Sequence, residues 1–440
     1  MRRFARERTL VATALLAAST GALLGDGTAA AAAGGTTLRV SVAPDGGPAD
    51  NASTAQRISA DGRYVAFVST ASNLVTGKTD RTRSDVFVRD LETATTSLAS
   101  VAPDGTAGDR ESRSPSLSAD GRYVAFQSAA TDLIAGDTND QADIFVRDLL
   151  AGVTTRVSVA SSGAQADSFS QAPSISADGR YVAFVSRATN LAPGGGASIT
   201  ADVYVHDRES GTTTRVSVPA VDASEQYNTE QPTISPDGQF VLYVSDSPRQ
   251  VPGDTNRRPD VIVYDRQAGT RTRISVAAGG IQGNGSSSTP TISADNRYVS
   301  FTSSSTNLVA GDTNRKADVF VYDRQLGRPV RVSVSAQGAE ADGESSSPSI
   351  SAGGGQVTYT SMASNLVEAD TNNGGDVFVT ELSTGTTERV TVSDSGAQVN
   401  ASVTAPPSIS RDGRSVVFTS NAPGLTPRDA AWHQVYLRLR

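Results

Sequence analysis

The 440-residue chain contains no cysteine, which removes disulfides, thiolate metal sites, a cysteine nucleophile and a lipid-modified cysteine from consideration. Histidine is almost as scarce. Only His206 and His433 occur; their spacing makes no metal pair, and each reads as structural or solvated. There is no Gly-x-Ser-x-Gly elbow, no phosphate-cradling glycine loop with Lys and Ser or Thr, and no His-Glu-x-x-His helix. Positive charge is in deficit too. The formal charge is −8, and removing residues 1–33, which carry four Arg, one Glu and one Asp, leaves −10. Without clustered cations, a nucleic-acid or anionic-membrane partner is not expected.

A membrane-spanning run is also missing. The largely apolar stretch at residues 9–24 falls short of the ~20 residues a span requires, and Ser19, Thr20 and Gly21 dilute it. A basic segment, Met1-Arg2-Arg3-Phe4-Ala5-Arg6-Glu7-Arg8, precedes it, and small residues follow through Ala33. This is the three-part pattern of a secretory signal peptide, 1–33, with cleavage expected among residues 29–33 and no membrane insertion of the mature chain. Arg2-Arg3 hints at twin-arginine export, but the general secretory route fits better. The expected location is secreted or otherwise extracytoplasmic.

What is present is repetition. The phrase Ile58-Ser59-Ala60-Asp61-Gly62-Arg63-Tyr64-Val65-Ala66-Phe67 returns with variations from Leu117, Ile175, Ile234, Ile292, Ile350 and Ile409, at intervals of 59, 58, 59, 58, 58 and 59 residues. Each of the seven units holds four short runs rich in Val, Ile, Phe, Tyr and Thr between Gly, Pro, Asp, Asn and Ser, as strands and turns do. In the fifth unit these are strand A (291–293), strand B (298–303), strand C (318–323) and strand D (330–334). Turns such as Asp61-Gly62 and Asp178-Gly179 join A to B, with glycine supplying a positive φ. A lone D-type strand, 38–42, precedes the first strand A, while the last unit ends at strand C, 435–439. If the N-terminal strand supplies the outer edge of the last sheet, the ring closes and no sheet lacks its edge strand. The expected fold is all-β: a seven-bladed β-propeller over 34–440, four antiparallel strands per blade.

The A-to-B phrase, hydrophobic-Ser-x-Asp-Gly-x-Tyr-Val-Ala-Phe, resembles the repeat of TolB-like propellers, themselves WD-repeat-like in architecture. The resemblance runs from about Leu38 to Arg440. It implies a propeller used for protein contacts in or outside the cell envelope. Proteins of the Tol system that carry this repeat also carry a separate N-terminal domain, and here the repeats begin almost directly after the signal, so a place in that system is not implied. The period also exceeds the WD-type ~40–45 residues, because the B–C and D–A loops are extended.

Because strands alternate in direction, the A–B and C–D turns share one face, and the long B–C and D–A loops share the other, where binding is expected. Four B–C loops carry Asp-Thr-Asn and then an Asp opening strand C: Asp137, Asn139 and Asp143; Asp254, Asn256 and Asp260; Asp312, Asn314 and Asp318; Asp370, Asn372 and Asp376. Such oxygens could join backbone carbonyls around Ca²⁺, which takes about six to eight. Alternatively they shape the turn, a reading favoured by Lys78, Gly194-Gly195-Gly196 and Pro427-Arg428-Asp429, which break the motif elsewhere. The D–A loops repeat Asp50, Asp109, Asp167, Asn228, Asn284, Asp342 and Asn400. Of these, Asp109, Asp167, Asn284 and Asp342 are candidate ligand contacts at the channel mouth, with turn chemistry again the favoured reading. The aromatics recurring in strands B and C, Tyr64, Phe67, Phe87, Tyr123, Phe126 and Phe145 among them, are expected to pack between blades.

These features predict a monomeric, exported, non-catalytic scaffold whose long-loop face binds a protein or cell-envelope polymer. The alternative is a carbohydrate-active enzyme, hydrolase or lyase, with an acidic site at the channel mouth.

Overall fold

The computed structural model describes residues 35–440, apart from 79, 194–199, 221–224, 401–402 and 429. The proposed signal peptide, Gly194-Gly195-Gly196 and Asp429 lie outside these residues. No helix among the described residues is long and apolar enough to cross a membrane.

Seven four-stranded antiparallel sheets follow one another. In the second blade strands A to D are Ser112–Leu117, Tyr123–Ser128, Asp143–Asp148 and Val153–Arg156. The seventh blade takes Ser408–Ile409, Ser415–Ser420 and Gln434–Leu439 from the C-terminus and its outer strand, Thr36–Arg39, from the N-terminus. Thr36 pairs with Leu439 and Arg39 with Tyr436. The expected closure is therefore the observed one.

A belt of backbone hydrogen bonds around the A–B turns makes the same point independently. The N–H of Ala60 donates to the carbonyl of Ala119, Ala119 to Ala177, Ala177 to Pro236, Ala294 to Ala352, Ala352 to Arg411, and Arg411 back to Ala60 at 2.9 Å. The remaining link, from Pro236 to Ala294, cannot form because proline has no N–H.

Strand boundaries differ from the sequence expectation, and the closing strand is Thr36–Arg39 where 38–42 is expected. In the fifth blade strand A begins four residues earlier, as Ser287–Ile292, and strand D is Arg328–Arg331, earlier than 330–334. Strand A is longer because pairing continues through a bulge, between Ser288 and Thr291 in this blade. At the bulge the residue before proline turns to positive φ: Ser114, Ala172, Gln231, Thr289 and Ser347 lie at 50–57°. That conformation costs a non-glycine residue on the order of 1–2 kcal/mol, and proline within the run disguises the strand.

The recurring aromatics pack between blades, as expected. Phe67 and Phe87 stack at 5.8 Å between centroids, and their cluster includes Val417, Val435 and Leu437 of the seventh blade. A second interblade contact sits at the turns. Gly121, at φ +69°, lies against the Tyr64 ring so closely that a Cβ would fall 2.2 Å from it, and Gly179 meets Tyr123 in the same way. Arg208 and Arg266 cover Tyr123 and Tyr181, 4.6 and 4.0 Å from the ring centroids.

Each blade is also clasped across strands C and D. Ser158 Oγ donates to the buried Asp143 at 2.5 Å and accepts from Ile144 N at 3.1 Å. In the closing blade the partners come from opposite chain ends. Ser41 Oγ donates to Gln434 at 2.7 Å and accepts from Val435 N at 3.0 Å. Ser41→Ala leaves a buried N–H and a buried amide oxygen without that partner, and we expect a loss of about 1–3 kcal/mol, read by urea denaturation; a change within error would show that closure does not use this clasp.

On the short-turn face Arg63 and Arg122 hold Asp90 and Asp148 down to about 2. Against an unfolded value near ~3.9, their stabilising share is complete above that pH and lost as pH falls through about 2. Urea midpoints measured from pH 5 to 2 should therefore decline, and less steeply in Asp148→Asn. An unchanged slope in that variant would remove the pair from the acid response.

Candidate functional site

The B–C loop motif does assemble. In the second blade Asn139 Nδ2 donates to Asp143 at 3.2 Å and to the Ala166 carbonyl at 2.9 Å, while its Oδ1 accepts from Gln141 N at 3.0 Å. Gln165 Nε2 donates to Asp137 at 2.7 Å and Asp143 at 3.3 Å. The centre of the group is occupied by a side chain from strand D: Arg156 Nη1 lies 3.2 Å from Asp137 and 3.5 Å from Asp143. The other blades repeat the arrangement. Arg273 faces Asp254 and Asp260 at 3.6 and 3.4 Å, Arg331 faces Asp312 and Asp318 at 3.4 and 3.6 Å, and Arg389 faces Asp370 at 3.2 Å. Asn256, Asn314 and Asn372 reach the Gly283, Ala341 and Val399 carbonyls, and the latter two also reach Asp318 and Asp376. A guanidinium thus stands where a metal would need to be, with amide N–H groups pointing inward. Among the described residues no group of three or more His, Cys, Asp or Glu side chains is placed to hold a metal.

The first blade shows why the slot needs a cation. Strand D there carries Leu98, paired with Phe87 as Arg156 is with Phe145. Lys78 enters from the loop instead, 3.0 Å from Asp85. The lysine that breaks the motif in sequence is the substitute cation. Burial pushes the carboxyls of Asp85, Asp143, Asp202, Asp260, Asp318 and Asp376 above their usual range, so each depends on its partners to stay ionised.

Asp109, Asp167, Asn284 and Asp342 form a second recurring set, one per D–A loop, and each is tied to the following B–C loop. Asp109 accepts from Thr131 N and Oγ1, both at 2.8 Å, and Asp342 accepts from Ser364 N and Oγ, both at 2.7 Å. Asp167 takes Thr189 N at 2.7 Å, and Asn284 takes Thr306 N at 2.9 Å. The return contact runs from the loop: Asp132 accepts from Asp109 N at 3.0 Å and Asn365 from Asp342 N at 3.1 Å. These side chains stitch the long loops together.

A cavity among the described residues lies elsewhere. About 350 Å³ opens between the second, third and fourth blades, lined by Arg113, Ser114, Gln127, Gln171, Ala172, Val185, Glu230 and Gln231. These belong to the bulges of three consecutive innermost strands and their strand-B partners, at the end of strand A nearer the long loops. Arg113 pairs with Glu111 at 2.7 Å; Gln231 Oε1 accepts from Thr289 N at 2.6 Å. Sequence reasoning missed this group. Its signal was the run of long polar side chains, Arg113, Gln171 and Glu230, where the first, fifth and sixth blades have Thr54, Ser288 and Ser346. Of the two histidines, His206 is buried against Thr213 Oγ1 at 2.9 Å, and burial lowers its pKa; the His433 carbonyl accepts from Ser53 N at 2.9 Å.

No family model matches the chain, and no curated protein matches it in sequence. Solved structures do match. An oligogalacturonate lyase in complex with manganese aligns over 92% of this chain and 96% of its own, at 12% identity and a TM-score of 0.54. The β-propeller domain of the Trilobed protease from Pyrococcus furiosus, described as having an open velcro topology, aligns over 88% and 94%, at 12% identity and a TM-score of 0.52. TolB from Acinetobacter baumannii is matched at 17% identity and a TM-score of 0.41, over 74% of this chain and 63% of its own length. At these identities the likeness is one of fold, and the propeller implied by the resemblance is the fold observed.

Asp260→Ala would leave Arg273 and Ser275 facing a buried gap, for an expected loss of about 3–5 kcal/mol in urea denaturation. The melting temperature of the unaltered protein should be the same in Ca²⁺ and in chelator; a rise with Ca²⁺ that Asp312→Ala abolishes would reinstate the metal reading.

Proposed function

We propose that this chain is an exported, non-catalytic propeller scaffold, acting as a monomer, that binds a protein or cell-envelope polymer through its long-loop face. The observation that carries this is the cavity at the loop end of the channel, lined by a guanidinium, three amides, one hydroxyl and one carboxylate. Such a set hydrogen-bonds an extended polar segment without selecting one charge. The stitched loops around it support the same reading, since a surface whose side chains are already held loses little freedom on binding. Export rests on the signal-peptide pattern of residues 1–33.

The second reading, a carbohydrate-active enzyme, draws support from Glu230 at the cavity and from the fold shared with oligogalacturonate lyase. Its acid would be Glu230, because Asp109 and Asp342 are engaged by Thr131 and Ser364.

The absence of cysteine makes a direct test simple. A photocrosslinker on Gln171→Cys should give a discrete adduct from envelope or medium fractions that the same label on Ser383→Cys, at a short turn of the opposite face, does not. Equal labelling from both positions, or none, counts against the scaffold. Turnover of a polysaccharide by the whole chain, lost in Glu230→Gln, would put the enzyme reading in its place.

A further inference from the structure

The repeat is broken at one place inside the channel. Strand A ends in Pro-Ser or Pro-Thr before its last hydrophobic residue at Pro115-Ser116, Pro173-Ser174, Pro232-Thr233, Pro290-Thr291, Pro348-Ser349 and Pro407-Ser408; the first blade has Gln56-Arg57. Register confirms the equivalence, since Arg57 pairs with Ala66 as Ser116 does with Ala125 and Ser174 with Ala183. Both members of the substituted pair have identifiable roles.

Gln56 is completely buried. Its Nε2 donates to the Pro406 carbonyl at 2.9 Å, and its Oε1 accepts from Thr419 Oγ1 of the seventh blade. Such a tie fixes the backbone from which Arg57 projects. Arg57 itself is exposed, and because strand A is innermost, with other blades on either side, the solvent it meets is that of the channel. Its guanidinium makes one hydrogen bond, from Nη1 to the carbonyl of Gln56 at 2.8 Å. Among the described residues no carboxylate lies within ion-pair distance of it. Protein crowding around the channel pulls its pKa below the ordinary arginine value, with no acid acting in the other direction.

The rest of this level is built of hydroxyls. Ser116 Oγ accepts from Ile175 N and Ser174 Oγ accepts from Ile234 N, both at 3.1 Å, and Thr291 Oγ1 accepts from Ile350 N at 3.3 Å. A hydroxyl that already accepts a backbone N–H keeps its own hydrogen to donate. The half-buried Ser116 and Ser174 therefore present donors on the same rung as a guanidinium lacking an acid. A planar five-donor fork is the side chain best matched to an oxyanion.

We infer that Arg57 and the neighbouring strand-A hydroxyls form an oxyanion-binding site inside the channel, able to take inorganic phosphate or the carboxylate end of an extended chain entering from the long-loop mouth. This deepens the scaffold reading by naming the chemistry its channel accepts. It does not need the macromolecular partner, so it can fail while the crosslinking result stands.

Arg57→Ser restores the residue that the other blades carry and should fold. Titrating the whole chain calorimetrically with inorganic phosphate, and separately with a short peptide bearing a free or an amidated C-terminus, should give saturable binding of phosphate, of the free-acid peptide, or of both. The amidated peptide should bind more weakly, and Arg57→Ser should weaken every positive case about 10- to 100-fold, the worth of a charged hydrogen-bonded contact. Phosphate alone would identify a free ion as the source; the free-acid peptide would identify a chain terminus. No binding of either probe, or binding unchanged in Arg57→Ser and lost in Arg113→Gln, overturns the assignment.

Discussion

Every other feature of this molecule depends on the strand Thr36–Arg39 completing the sheet of Ser408–Ile409, Ser415–Ser420 and Gln434–Leu439. Each blade shields its apolar faces only because it has a neighbour on both sides, so a ring that failed to close would expose two interblade faces at once. The residues at the junction are adapted to that demand. Gln434 takes the place of the strand-C aspartate, its amide both accepting from Ser41 and donating to the Ala49 and Asn51 carbonyls. A neutral group suits a blade assembled from opposite chain ends, because it can be buried before any cation arrives without the cost of a lone charge. Closure in turn fixes the channel diameter, and with it the spacing of whatever lines the channel.

Within the six continuous blades the same position is a buried aspartate, and the structure offsets the burial cost with a nearby cation. Four blades supply it from strand D, as Arg156, Arg215, Arg273 or Arg331, and in the sixth the strand-D Arg389 pairs with Asp370 of the adjoining loop. The first supplies it from the loop, as Lys78. That two unrelated chain positions deliver a positive charge to one place is stronger support for a structural ion pair than any single distance. It also accounts for the Asp-Thr-Asn motif without a ligand, since the motif brings carboxylates and an amide to a point where strand D already ends in arginine.

Much of this was legible in sequence because the fold is a local rule applied seven times. The Asp-Gly turn, the alternation of strand B and the missing outer strand of the last unit all follow from neighbours along the chain. The rest was hidden where an outcome depends on local backbone geometry or on residues far apart along the chain. Strand A was cut short because Pro290 looks like a terminator, whereas the positive φ of Thr289 lets the chain bulge and resume pairing. For Asp109 and Asp342 the choice between a ligand contact and turn chemistry stays open in sequence, because Thr131 and Ser364 lie 22 residues away and reach them only when two long loops fold side by side. The cavity was invisible for a related reason: which strand-A side chains face the channel is decided by the bulge, and the bulge is not written in the hydrophobic alternation.

In a chain so repetitive, departures carry more information than the consensus. A residue that recurs from blade to blade is explained by packing that those blades share, as Gly121 against Tyr64 and Gly179 against Tyr123 illustrate. A residue found in one blade needs a local cause. Some departures have a structural one: Lys78 is compensated by Leu98, and Gln434 by its place at the junction. Gln56-Arg57 divides between the two kinds. Gln56 replaces the missing proline with ties to the seventh blade, but among the described residues no carboxylate forms an ion pair with Arg57, whose one hydrogen bond goes to the Gln56 carbonyl. A guanidinium in the channel with no acid beside it among the described residues is the departure that the inferred oxyanion site explains: its compensation would come from an anion outside the chain.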